Sequence, residues 1–215
     1  MINLGSLGIR SLLIGGLLAA TSALANTATL YNTINDGIID QRGGEFRAVT
    51  SNHGTFFTFC LERPVHVGMN TLYTYDVRPR AYGANRDLHD PTGLDGDPVS
   101  KGTAYLYELF SKGLLQSANG VGLYWDDHDR NAGLLQQAFW TLEDEFNYVG
   151  NPYVALVKSI FGDEGAYETY TGKNVQVMNL WGKNGQDIQS QLIYLPSIPS
   201  VPDAGATALL VALGV

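Results

Sequence analysis

Residues 174–195 read NVQVMNLWGKNGQDIQSQLIYL: two alternating runs, 174–181 and 189–195, joined across Gly182-Lys183-Asn184-Gly185. Alternation with period two marks half-buried strands, and a Gly/Asn-rich link between two such runs marks a hairpin. A hairpin this late in a chain needs a sheet to complete. Four runs in the first third, 27–34, 45–50, 55–60 and 71–77, are rich in β-branched and aromatic residues and are punctuated by Gly43-Gly44 and Gly54. They read as four strands. Between the two groups the period changes to 3.6. In 97–113, Asp97-Pro98 predicts an N-cap with Pro at the first helical position, and Thr103, Leu106, Tyr107 and Phe110 form one apolar stripe. In 132–145, Leu135, Ala138, Phe139 and Leu142 form a second stripe. A third helix opens at Asn151-Pro152, turns Tyr153, Leu156, Val157 and Ile160 inward, and stops at Gly162. The order of strands, then helices, then strands predicts an α+β fold. Its antiparallel sheet or partly closed barrel would join the N-terminal strands to the C-terminal hairpin, with the helical region inserted. Residues 26–195 are expected to form this single domain.

The two ends read as addresses. Residues 1–25 carry Arg10, then Leu12-Leu13-Ile14 and Leu17-Leu18-Ala19-Ala20, and close on Ala23-Leu24-Ala25, the pattern of a secretory signal peptide. Residues 196–202, PSIPSVP, are a stiff Pro/Ser linker, and 203–215 hold a short motif and an apolar tail. Val201-Pro202-Asp203-Ala204-Gly205 resembles the VPDSG variety of PEP-CTERM sorting signals, which exosortase systems of Gram-negative bacteria read on exported proteins. Ala204 stands where that family has Ser, and the tail after it is shorter than a complete signal and lacks its terminal basic cluster, so the signal reads as either truncated or decayed. The resemblance implies an exported protein, at the cell surface or in the extracellular matrix of a Gram-negative-type bacterium. Its partner would be exosortase-type sorting machinery, with transient membrane association through the tail.

Composition narrows the chemistry. The 215 residues are 45% hydrophobic, enough for the core of one domain. Thirteen Lys and Arg stand against twenty-one Asp and Glu, a net charge of −8 with no basic run. Such a chain lacks the cationic patch that holds a phosphate backbone, so no nucleic-acid partner is expected. A single Cys excludes an intramolecular disulfide.

That Cys lies in Thr58-Phe59-Cys60-Leu61-Glu62, at a strand end, and a later helix carries Leu134-Leu135-Gln136-Gln137-Ala138-Phe139-Trp140. Together they resemble the thioester domains of Gram-positive surface adhesins. There an aromatic-Cys-aliphatic-acid motif on a strand and a Gln-x-Ala-aliphatic-Trp motif on a helix supply the two halves of an internal bond. The resemblance implies a Cys60–Gln136 thioester, with Gln137 one position out of register and Phe139 where the family has Ile. A thiolate attacking the Gln amide expels ammonia and leaves an electrophile that an amine or hydroxyl can capture. The partner implied is a nucleophile on an extracellular protein or polysaccharide. The protein would be no turnover enzyme, and would need no cofactor or metal. Gln136, Trp140 and Glu143, at i, i+4 and i+7, would share a helix face. Trp140 would then shield the bond and Glu143 relay a proton. Glu62, two residues past Cys60, would share its strand face.

Other readings use the same residues differently. Cys60 is a candidate hydrolase nucleophile with His53, His66, His89 or His128 as base, although none of these has a protease context. The carboxylates around Asp87, Asp90, Asp95 and Asp97, and those of Asp126, Asp127 and Asp129, offer oxygen ligands for Ca²⁺ without the spacing of a calcium loop. Glu143 and Glu145 stand two apart on a helix and point to different sides, unlike a glycosidase pair. A non-covalent module that stacks its Tyr residues on sugars would leave Cys60 and Gln136 unused. In that case the Gln136 carbonyl would lie far from Cys60. A thioester serving only as a structural crosslink is the remaining alternative.

Overall fold

The computed structural model describes residues 25–33, 43–82, 96–116 and 128–196. Most of the expected signal peptide, most of the Pro/Ser linker, the sorting motif and tail, His89, and the carboxylates of Asp87, Asp90, Asp95, Asp126 and Asp127 lie outside them.

Six strands form one antiparallel sheet: β1 (Thr27–Asn32), β2 (Phe46–Thr50), β3 (Gly54–Thr58), β4 (Leu72–Arg78), β7 (Val175–Trp181) and β8 (Asp187–Tyr194), in the order β3-β2-β1-β4-β7-β8. Two short strands, β5 (Arg80–Ala81) and β6 (Asp97–Pro98), pair separately. The C-terminal hairpin joins the N-terminal strands through β4 and β7, with Tyr75 opposite Leu180 and Val77 opposite Met178. The sheet curls into a half-barrel, and its two edges approach each other just beyond β3. There Cys60 bridges Gln191, Leu61 N–H donates to Ser190 O (3.1 Å), and Leu192 N–H donates to Phe59 O (3.0 Å). The α+β, partly closed architecture is the one expected.

Alternation along the strands builds two cores. Ala28, Leu30, Ala48, Tyr73, Tyr75, Met178, Leu180 and Ile193 pack together on one face. On the other face Val175, Val177 and Leu192 meet the helices α1 (Lys101–Ser111), α2 (His128–Leu142) and α3 (Pro152–Phe161). β7 and β8 are therefore buried on both faces, and a buried polar side chain on either strand must find its hydrogen bonds inside the protein.

The predicted stripes of α1 and α2 are buried as expected. Asn151 caps α3 and Gly162 ends it, also as expected. Four local readings are corrected. The cap of α1 is Ser100, whose Oγ accepts from Thr103 N–H (3.1 Å), because Asp97 and Pro98 are taken up by pairing with Ala81 and Arg80. α2 begins at His128 and stops at Leu142, where the chain turns through Asp144 at φ 59°, so Glu143 stands beyond the helix. α3 buries Tyr153, Val154 and Val157, while Leu156 and Ile160 are 37% and 46% exposed, because the face that carries 153, 154 and 157 is the one turned to the helical core. β8 starts at Asp187, two residues before the expected 189, since the turn closes early with Gly182 N–H on Gln186 O (2.7 Å).

Candidate functional site

The half-barrel's closing point is also where Cys60 lies. Phe59 and Leu61 turn toward the helical core, so Cys60, between them, faces the opposite side and packs with Phe46 and Trp140. It is fully buried. On the partner strand, Gln191 lies opposite Cys60 and Gln189 follows across a register shift, and both buried amides reach the sulfur's neighbourhood. The Cys60 Sγ–H donates to Gln189 Oε1 at 2.9 Å, and Gln189 Nε2 donates to Glu62 O at 2.7 Å.

α2 brings Gln136 to the same point. Its Oε1 accepts from Cys60 N–H (3.0 Å) and from Gly44 N–H (3.2 Å), and its Nε2 donates to Cys60 O (2.8 Å). Gln136 is 1% exposed, so these bonds are made away from water. Two backbone N–H groups converging on one amide oxygen polarise its carbonyl toward addition, in the manner of an oxyanion hole. Glycine at 43 and 44 permits the approach. A Cβ on Gly43 would lie 2.5 Å from Trp140 Cζ2 and 2.8 Å from Gln136 Cγ, and Gly44 has a φ of 152°.

Burial pushes the Cys60 thiol far above its ordinary range, and the nearby Glu62 carboxylate pushes the same way. Hydrogen bonding from the Gln191 side chain and from the N–H groups of Gly44 and Cys60 opposes this. The resting thiol is neutral, and its reaction must carry the proton along. Glu62 is likewise pushed up by burial. Its Oε2 accepts from Ser190 N–H (2.8 Å), while Oε1 has no hydrogen-bond partner among the described residues.

Of the residues expected from sequence, Cys60, Gln136 and Trp140 come together, with Glu62 beside them. Trp140 is 1% exposed and covers Gln136 where Gly43 passes over it. Glu143 does not join them. Its Oε1 accepts from Ser100 N–H (3.1 Å) at the start of α1, and burial raises its carboxyl to about 7. It leaves the shared face because α2 ends one residue earlier. His53 and His66 are exposed, and His128 Nε2 lies 3.2 Å from Glu45 Oε1. Among the described residues no three His, Cys, Asp or Glu side chains gather as metal ligands would, and no helix is long and apolar enough to cross a membrane.

Sequence reasoning missed Gly43-Gly44, Gln189 and Gln191. Gly43-Gly44 reads as strand punctuation. The signal for the glutamines was visible: amides at alternate positions on the buried face of a strand demand partners. Comparison with protein-family models, curated proteins and solved structures returns no match.

Proposed function

We propose that Cys60 and Gln136 form an internal thioester, which an exported protein uses once to attach itself covalently to an amine or hydroxyl on an extracellular protein or polysaccharide. The observation that carries this reading is the Gln136 carboxamide, held on the backbone of Cys60 itself with two N–H donors on its oxygen. A non-covalent module has no need of that arrangement, and its own expectation, a Gln136 carbonyl remote from Cys60, is not met.

The chemistry balances without a cofactor. Sγ adds to the Gln136 amide carbon, the carbon–Nε2 bond breaks, and the thiol proton leaves with the nitrogen as ammonia. The Cys60 and Gly44 N–H groups stabilise the oxygen while it carries charge. Fixed proximity supplies what an amide in water lacks. In capture, the arriving nucleophile bonds to the same carbon, the carbon–sulfur bond breaks, and the nucleophile's proton restores the thiol. Trp140 and Gly43 keep water from the bond until then, and Glu62, one of whose carboxyl oxygens has no hydrogen-bond partner among the described residues, is the proton carrier beside the sulfur. Glu143 serves α1 instead. Export and recognition by exosortase-type machinery through the C-terminal motif belong to the same proposal.

Intact mass tests it on the full chain. The expected result is a loss of about 17 Da against the sequence value with no free thiol, and about 31 Da gained with methylamine as the thiol returns. Sequence mass with one free thiol overturns the reading.

A further inference from the structure

We propose that Gln189 is a catalytic residue of this site: it holds the Cys60 thiol hydrogen before the bond forms and, once the sulfur is acylated, receives the N–H or O–H of the arriving nucleophile. The proposal rests on the thioester reading of Cys60 and Gln136.

The orientation of the Gln189 amide is forced by its partners. A backbone carbonyl can only accept, so the end facing Glu62 O must be Nε2, and Oε1 must therefore face the sulfur. Glu62 is in turn held by Ser190 N–H on its Oε2, so this acceptor is pinned from behind. The glutamines around Cys60 then divide by electronics. Gln136 carries two N–H donors on its oxygen and is the electrophile. Gln189 receives a weak S–H bond on its oxygen and is the acceptor. An S–H fixed on Gln189 also fixes the direction of the sulfur's lone pairs.

Acylation removes that hydrogen. Gln189 Oε1 is then a buried acceptor without its donor, a costly state that a donor arriving beside the sulfur relieves. During capture the nucleophile–carbon bond forms, the carbon–sulfur bond breaks and the nucleophile's proton passes to sulfur. Gln189 Oε1 holds that hydrogen at the start, on the nucleophile, and at the end, on Sγ.

The test compares rates in the full chain. Gln189→Met keeps the length of the side chain without donor or acceptor. It is expected to slow both the appearance of the 17 Da loss after refolding and the capture of methylamine by roughly tenfold, the worth of one hydrogen bond. Gln189→Glu, whose carboxyl when kept protonated by burial would donate its O–H to Glu62 O and keep the acceptor toward the sulfur, is expected to recover most of the capture rate. Wild-type rates in folded Gln189→Met overturn the role of Gln189 while leaving the thioester standing. No mass loss in the unaltered chain overturns the thioester reading and this proposal with it. A second measurement needs no variant: in the unaltered chain opened by methylamine, the infrared S–H stretch is expected at the lowered frequency of a hydrogen-bonded thiol, and a free-thiol band overturns the contact.

Discussion

At the residue scale, the site depends on side chains that are absent as much as on those present. Gly43 passes so near Trp140 and Gln136 that even a methyl group has no room. Gly43→Ala is expected to cost about 2 kcal/mol by overpacking and to prevent the 17 Da loss, with urea unfolding and intact mass as the checks. Retained mass loss at unchanged stability would contradict the close approach. Cys60 and Gln136 were legible because each sits in a short run of distinctive residue types. Gly44 was not, because what it contributes is a backbone N–H, which every residue but proline carries. Gln189 and Gln191 stood in plain view as alternating amides, yet their destination depended on which strand end would face them.

At the element scale, caps and helix ends decide which side chains reach the site. Asn151 Oδ1 accepts from Tyr153 and Val154 N–H, and its Nδ2 donates to Leu134 O (2.7 Å), tying α3 to α2. Asn151→Ala is therefore expected to cost about 2 kcal/mol, read by denaturant unfolding. Glu143 lies where a helix N-terminus favours its charge, but desolvation wins and raises its carboxyl to about 7. Its unfolded value is about 4.3, so between these values the unfolded chain releases the proton first and stability falls as pH rises. Glu143→Gln is expected to be near neutral at about pH 4.5 and more stable than the wild type at about pH 8, as shown by thermal unfolding at both. Glu62 and Glu145 are shifted upward too, so the variant keeps part of the slope. The sequence pattern located all three helices. It misjudged the start of α1, because Asp97-Pro98 looks like a helix start until β5 is there to pair with it, and both ends of α2, while those of α3 were as expected.

At the scale of the whole molecule, the curled sheet and the inserted helices make one point of convergence. Cys60 comes from the chain just after β3, Gln136 from α2, Gln189 from β8 and Gly44 from the approach to β2. A bond between positions 60 and 136 would also restrain the unfolded chain by roughly 4–5 kcal/mol on the chain-entropy account of a crosslink of that span. Cys60→Ala and Gln136→Ala are each expected to lose about that much, with the double variant no worse than either, because all three lack the same bond. Additive losses in calorimetric unfolding would mean two independent core positions. The sequence by itself determined the α+β class, the six main strands and the three helices, because periodicity is a local property. Cys60 and Gln136 were singled out together only through the resemblance of their two short motifs to thioester domains, and the structure sets the Gln136 side chain on the Cys60 backbone. Only the tertiary structure decided that β3's continuation meets β8, that Gly44 N–H completes the pair of donors, and that Glu143 serves α1. Those facts depend on how a sheet curls and where a helix stops, which long-range packing sets and no short window of residues contains.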